Sequence, residues 1–365
     1  MDFAIKNIVI ATVIFGTILV IIFENRNPVK TIAWCMVLTF MPVIGLLLYI
    51  LFGMDNRHRR QIKDEDLSRL KGITEITQSD DILSEMPVPQ KPLADMLSKM
   101  NKSFLLSGND VEIITDFQTM SDRLIADIEG ARHHINMLFF KFEDDAAGRR
   151  IADALIRKSE EGVLVRLIYD DAGNLMVPRR FYRKLRKHGI QVRGFIRIFL
   201  PILSRDYNSR NHRKVVVIDG RVGYMGGMNI AQRYAEGLKW GIWRDTHMRI
   251  TGPAVSELQT SFLTDWKFTK GDEPDLAPMY PYNPPCGNTL MQIVTGGPMD
   301  KWNVMMQAYM TAIASARHHA YLQSPYFIPP EPIMKTLQNA ALSGVDVRVM
   351  IPYRGDKGVL PPWAS

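Results

Sequence analysis

His212 and Lys214, a nucleophile and a cation suited to work on a phosphate group, lie two residues apart in the stretch Asn211–Ile230, NHRKVVVIDGRVGYMGGMNI. On a β-strand that spacing turns both side chains to one face. The apolar run Val215 to Ile218 reads as a strand buried on both faces, and Asp219-Gly220 as the turn that follows it. A second short strand then ends at Gly226-Gly227-Met228-Asn229, where two glycines let backbone approach a ligand closely. The expected site therefore joins the His212 imidazole, the Lys214 ammonium, the Asp219 carboxylate and the Asn229 amide around Gly227. The chemistry that suits such a set is attack on phosphorus with cationic stabilisation of its oxygens. The alternative is a buried strand with an ordinary turn and a stray surface histidine. Lys214 weighs against it, because a cation in a dry strand core needs an anionic partner. No cluster of His, Cys and Asp has ligand spacing, so neither a metal nor a cofactor is expected.

Further along, Trp243 to Ile250 alternates as a strand should, with Asp245 and His247 on one face. These two are candidates to support the site, with a purely structural role as the alternative. Upstream, strand and helix patterns alternate. A helix is expected over Met120–Gly130, a strand over His134–Phe142, a helix over Gly148–Glu161 and a strand over Val163–Tyr169. A helix over Phe181–His188 and a strand over Gln191–Ile196 follow, and Val255–Phe268 is a further helix. Such alternation predicts an α/β sandwich, a mixed sheet flanked by helices.

The chain has 365 residues, 46% of them hydrophobic, and a formal charge of +7. That charge fits an anionic partner, nucleic acid or an acidic lipid surface. Only two cysteines occur, Cys35 and Cys286, so no disulfide framework is implied. Two apolar runs, Ile8–Phe23 and Thr31–Phe52, are separated only by a short polar loop and predict a transmembrane helical hairpin over 1–55. A signal peptide is the rival for the first run, but no small-residue cleavage pattern follows it. Arg57, Arg59, Arg60 and Lys63 after the second run outnumber Arg26 and Lys30 in the loop, which places both ends in the cytoplasm. A polar, proline-bearing linker is expected over 56–105, a first α/β repeat over 106–272, and part of a second over 285–365.

The second repeat is visible as recurring segments. Ala131-Arg132-His133-His134 returns as Ala316-Arg317-His318-His319, and Gly162-Val163-Leu164-Val165-Arg166 as Gly344-Val345-Asp346-Val347-Arg348. Phosphoryl transfer through a histidine is expected to use two, one attacking phosphorus and one protonating the leaving oxygen. No second HxKx4D occurs in the chain. The expectation is a fragment or shortened product of a longer protein, with a subunit that borrows its second half-site from another copy as the alternative.

The pattern His-x-Lys-x4-Asp-x6-Gly-Gly-x-Asn resembles the signature of the phospholipase D superfamily. With the hairpin, Tyr169-Asp170-Asp171, Trp243-Arg244-Asp245-Thr246-His247 and Pro325-Tyr326-Phe327-Ile328-Pro329, the chain is most similar to bacterial cardiolipin synthases of that type. The resemblance implies transfer of a phosphatidyl group between two phosphatidylglycerol molecules, giving cardiolipin and glycerol. It implies His212 as nucleophile, Lys214 and Asn229 on the non-bridging oxygens, and Asp219 orienting an imidazole. It also implies a multi-pass protein of the bacterial inner membrane acting on anionic phospholipid. Another phosphodiesterase of the same motif (a phosphatidylserine synthase, a phospholipase D or a nuclease) is the alternative, as is an inactive truncated membrane protein. The hairpin disfavours nucleic acid as partner.

Overall fold

In the computed structural model, residues 2–23, 28–53, 90–196, 210–237, 241–297 and 303–352 are described. They fall into two units, one built on the N-terminal helices and one on the sheet. The apolar runs do form helices: α1 (Asp2–Phe23), α2 (Pro28–Phe40) and α3 (Pro42–Leu48), with a π-helical turn at Tyr49–Gly53. The apolar run Thr31–Phe52 is divided between two helices and a π-helical turn, with the break at Pro42. Pro42 has no N–H to donate and its ring clashes with the carbonyl four residues back, so α2 stops and α3 starts afresh. Gly45 then lets α3 close on α2, since a Cβ there would come within 2.7 Å of the Val37 carbonyl oxygen. Ile21, Leu38 and Tyr49 are buried together, and Trp34 meets Tyr49 edge-on at 5.4 Å. Among the described residues no helix is long and apolar enough to cross a membrane. The Pro42 break leaves α2 and α3 short, and several α1 side chains lie outside the described residues. Most of the 56–105 linker also lies outside them.

The second unit opens with α4 (Lys91–Asn101) and β1 (Leu105–Ile114). Then come α5 (Phe117–Gly130), β2 (His134–Phe139), α6 (Ala146–Glu160), β3 (Leu164–Asp170), α7 (Arg179–Lys187) and β4 (Gln191–Phe195). Aspartates start two of these helices: Asp116 accepts from Thr119 N at 2.8 Å and Asp145 from Gly148 N at 2.9 Å. After β4 follow β5 (Val215–Ile218), β6 (Val222–Gly226), α8 (Arg233–Glu236), β7 (His247–Thr251), α9 (Val255–Phe268) and β8 (Thr289–Gln292). The eight strands form one mixed sheet in the order β4-β3-β2-β5-β6-β7-β1-β8. β2, β3 and β4 run parallel, and every other neighbouring pair is antiparallel.

β5 sits at the junction of the two halves, and its alternation explains why all four of its residues are apolar. Val216 and Ile218 face the core with Leu124 of α5 and Ile151 of α6, while Val215 and Val217 pack with Val255 and Leu258 of α9. The β5–β6 loop spans residues 219–221, with left-handed φ of +52° at Asp219 and +63° at Gly220, and Arg221 N donates to the Ile218 carbonyl at 3.0 Å. The strand expected from Trp243 begins only at His247.

Beyond residue 302 lie α10 (Val304–Ala314), β9 (His319–Gln323), α11 (Glu331–Leu342) and β10 (Asp346–Met350). β9 and β10 pair in parallel with His319 opposite Asp346, the register that joins His134 to Leu164 in β2 and β3. Those are the corresponding positions of the two recurring segments, so the sequence repeat is also a repeat of strand register. β8, although within 285–365, pairs with β1 and extends the first sheet.

Candidate active site

His212 and Lys214 lie just before β5, in a segment outside the ladder rather than on the strand expected for them. Their side chains still converge. Lys214 Nζ is 3.2 Å from His212 Nδ1 and donates to the His212 carbonyl at 2.7 Å. Arg213 between them turns the other way, donating to both Asp265 oxygens at 2.7 Å and to the Gly296 carbonyl at 2.8 Å. The alternation of an extended chain thus survives without strand pairing.

What holds this segment is the C-terminal end of β3. Asp170 is buried; its Oδ2 accepts from Asn211 N at 3.0 Å and its Oδ1 from Ala172 N at 2.9 Å. Asn174 donates to the Phe140 carbonyl at 2.8 Å and accepts from Phe142 N at 2.8 Å. Phe140 in turn lies against the His212 ring, centroids 4.7 Å apart, with Lys214 Nζ 5.5 Å from its own centroid. Phe140 and Asn174 had no motif to mark them. Asp170 was noted only as part of a family likeness, yet an aspartate closing a parallel strand is a usable signal, because ligands bind at such strand ends.

The opposite wall comes from β6 and β7. Gly227 N donates to the Thr246 carbonyl at 2.8 Å, which brings Asp245 over Gly227. A Cβ on Gly227 would stand 2.0 Å from Asp245 Oδ1, and one on Gly226 would stand 2.5 Å from His247 Cα. The paired glycines therefore admit the start of β7 and the Asp245 carboxylate. Asp245 and His247 both act electrostatically on, or feel, Lys214. We expect Gly227→Ala to push the Asp245 carboxylate aside, a movement a side-chain end can make without unfolding. Turnover should fall about 10- to 100-fold with Tm shifted by only a few degrees, a pattern that paired kinetics and calorimetry check.

The charges are set by burial. Desolvation, with Lys214 adding to it, pushes His212 down to about 4, although one side of the residue stays open to solvent. Lys214 is buried and is pushed down to about 8 by desolvation, against the opposing pull of Asp245. Asp245 is raised by burial, against the Thr246 N–H and Lys214. His247 is fully buried and held down to about 3 by desolvation and then Lys214, and neither ring nitrogen has a hydrogen-bond partner among the described residues. The centre therefore sets a neutral imidazole beside a retained ammonium that feels the charge of Asp245.

Two expected members take other places. Asp219 is at the far end of β5, five residues beyond Lys214 and so about 16 Å away along an extended chain. Its carboxylate accepts from Arg132 N at 2.8 Å, His133 N at 2.8 Å and His134 N at 2.9 Å. Burial opposes its ionisation, but those three donors outweigh it and the carboxyl lies below its ordinary value. These contacts tie the start of β2 to the β5–β6 turn, and none of them reaches the His212 ring. Asn229 is buried, accepts from Lys141 N at 3.1 Å and donates to Tyr234 Oη at 2.9 Å, so its amide links the loop after β2 to α8. The donor role toward a phosphate oxygen expected for it would use the same amide nitrogen that here meets Tyr234. Among the described residues no group of three or more His, Cys, Asp or Glu is placed to hold a metal ion.

Residues 124–266 match the family model for a cardiolipin synthase, phospholipase D-like domain, and residues 12–53 match a phospholipase D-nuclease N-terminal model. The chain is 37% identical to the major cardiolipin synthase ClsA of Bacillus subtilis, over 100% of this chain and 76% of that protein. It is 38% identical to a cardiolipin synthase of Listeria monocytogenes, over 96% of this chain and 74% of that one. Among solved structures, a phosphatidylserine synthase from Haemophilus influenzae shares the fold with TM-score 0.52 at 15% identity, covering 72% of this chain and 66% of that one. With a likeness that runs along the whole of this chain at 37% identity, and the matching domain laid over the His212–Lys214 centre, the chain belongs to the cardiolipin synthase family of phospholipase D-like proteins.

Proposed function

We propose that the chain transfers a phosphatidyl group from one phosphatidylglycerol to another, forming cardiolipin and releasing glycerol. The observation that carries the mechanism is the Lys214 ammonium held 3.2 Å from a His212 imidazole whose proton affinity is depressed. His212 attacks phosphorus, the bond from phosphorus to the glycerol oxygen breaks, and glycerol leaves with a proton. A hydroxyl of the second lipid then attacks the phosphatidyl-histidine, gives up its proton, and frees the imidazole. Water in place of that hydroxyl gives hydrolysis. Lys214 balances the charge on the non-bridging oxygens. Asp245, rather than Asp219, is the carboxylate beside the centre, and we assign it the orienting role. The proton for the leaving glycerol comes from a general acid outside the His212–Lys214 pair.

The hairpin of α1, α2 and α3 anchors the protein in the bacterial cell membrane with the catalytic unit in the cytoplasm. Supporting this are apolar side chains that the hairpin leaves exposed, Phe15, Phe23, Phe40 and Val43 among them, which water would not favour. The reaction is tested by giving the purified protein labelled phosphatidylglycerol and resolving the products. Labelled cardiolipin with stoichiometric glycerol supports the proposal; phosphatidic acid as sole product makes the protein a hydrolase.

The pH dependence of kcat/KM is expected to be bell-shaped. As pH falls, His212 takes up a proton and loses its attacking lone pair, at a midpoint between about 4 and its ordinary 6.5, because its open side keeps part of its hydration. As pH rises through about 8, Lys214 loses its proton and its pull on phosphate. A rate still rising above pH 9 would remove the ammonium from the mechanism.

A further inference from the structure

We infer that the end of the sheet carrying His212 docks on an anionic bilayer surface, through the basic face of α7 and apolar tips on either side of the site. This deepens the proposed lipid reaction and rests on it only for the identity of the substrate. In α7, Phe181, Tyr182 and Leu185 are buried and Arg179, Arg180, Arg183 and Lys187 are exposed. At 100° per residue those four cations fall within an arc of about 100°. Lys184 and Arg186 are already engaged with Asp153 and the Val192 carbonyl, but the four make no ion pair among the described residues. The helix contains no acidic residue. A face of unpaired cations with nothing anionic among them is what a negatively charged lipid surface attracts.

The apolar contribution comes from the turn that leads into α7. Met176 is 95% exposed and Leu175 51%, an unusual position for two large apolar side chains beside six cations. They follow Asn174 directly, and Asn174 holds the Phe140 backbone whose ring packs on His212. On the other side, the segment leading into β7 carries Ile242, 82% exposed, three residues before Asp245. β3 and β7 are four positions apart in the sheet, about 19 Å, and the approach to β5 that carries His212 lies between them. The two tips thus straddle the nucleophile at one end of the sheet. Apolar tips flanked by cations are the makings of an interfacial anchor, one that would seat the reacting phosphate at headgroup level. A soluble anion would be drawn by the same cations, but it would leave Met176 and Ile242 unexplained.

The test uses the full chain in phosphatidylcholine liposomes with or without phosphatidylglycerol. A polarity-sensitive fluorophore is placed at Met176→Cys after Cys35→Ser and Cys286→Ser. Emission should shift to the blue only in the anionic liposomes, and high salt should reverse the shift. In Arg180→Glu/Arg183→Glu/Lys187→Glu the shift should vanish, since each cation raises partitioning about fivefold. Turnover on bilayer substrate should fall at least about tenfold, with turnover on short-chain dispersed lipid within about twofold. Arg180→Ala/Arg183→Ala should show an intermediate effect. Emission that ignores anionic lipid, or a shift that survives charge reversal, overturns the inference. Because the fluorophore reports docking without turnover, absence of cardiolipin would count against the proposed reaction alone.

Discussion

His212→Ala is expected to lower phosphatidyl transfer by more than about 10⁴-fold while leaving the fold intact, the size of loss seen when a nucleophile is removed. The imidazole is solvent-open on one side and packs mainly against Phe140, so its truncation opens no closed cavity. Its removal also relieves Lys214 of a neighbour whose protonation the ammonium opposes. Labelled phosphatidylglycerol should mark the wild-type protein covalently on rapid denaturation, and the variant should stay unlabelled. Retained labelling in the variant would move the nucleophile elsewhere, and retained turnover without labelling would point to direct attack by the second lipid. Lipid binding should survive, because Lys214 and the surrounding charges remain.

Asp219→Ala and Asp245→Asn are expected to fail in opposite ways. Removing the Asp219 carboxylate leaves the N–H groups of Arg132, His133 and His134 without their acceptor at the start of β2. A loss of about 3 kcal/mol follows from unsatisfied donors of that kind, or a Tm lower by roughly 8 °C. Turnover per folded molecule should stay within about threefold, since the residue stands about 16 Å from Lys214. The folded Asp219 titrates below its ordinary value. Its contribution is therefore complete above the unfolded value of about 3.9 and is lost as pH falls through the folded one, and the variant should lack that part of the acid transition. Asp245→Asn keeps shape over Gly227 but removes the charge that opposes the lowering of Lys214. We expect turnover to fall by at least about 10²-fold, with Tm unchanged or slightly higher because burial already disfavours that carboxylate. The alkaline limb should also move to lower pH as Lys214 loses its anionic neighbour. Thermal unfolding and pH–rate profiles of the two variants separate a structural carboxylate from a working one. A large loss of turnover in Asp219→Ala with normal Tm would reverse the two assignments.

Much of this protein follows from local pattern. Short, nearly continuous apolar runs and their punctuation define β2, β3 and β5, because strands covered on both faces bury nearly every side chain. The His212–Lys214 pairing is local too: two residues of extended chain place side chains on one side whether or not the strand ladder reaches them. The recurring Ala-Arg-His-His and Gly-Val segments carry even the register of β9 with β10. What spacing leaves open is decided at long range. A strand has two ends, and the Asp of HxKx4D, four apolar residues beyond Lys214, lies past the whole of β5, where β2 and not the imidazole meets it. Asn229 is close in sequence to the paired glycines, but its partners at Lys141 and Tyr234 are brought by loops from β2 and α8. Asp245 and Phe140 reach the centre only because β5 pairs with β2 on one side and with β6, then β7, on the other. Which side chain faces which is written in the residues along each strand; which strand end they meet is decided by the order in which the sheet is assembled.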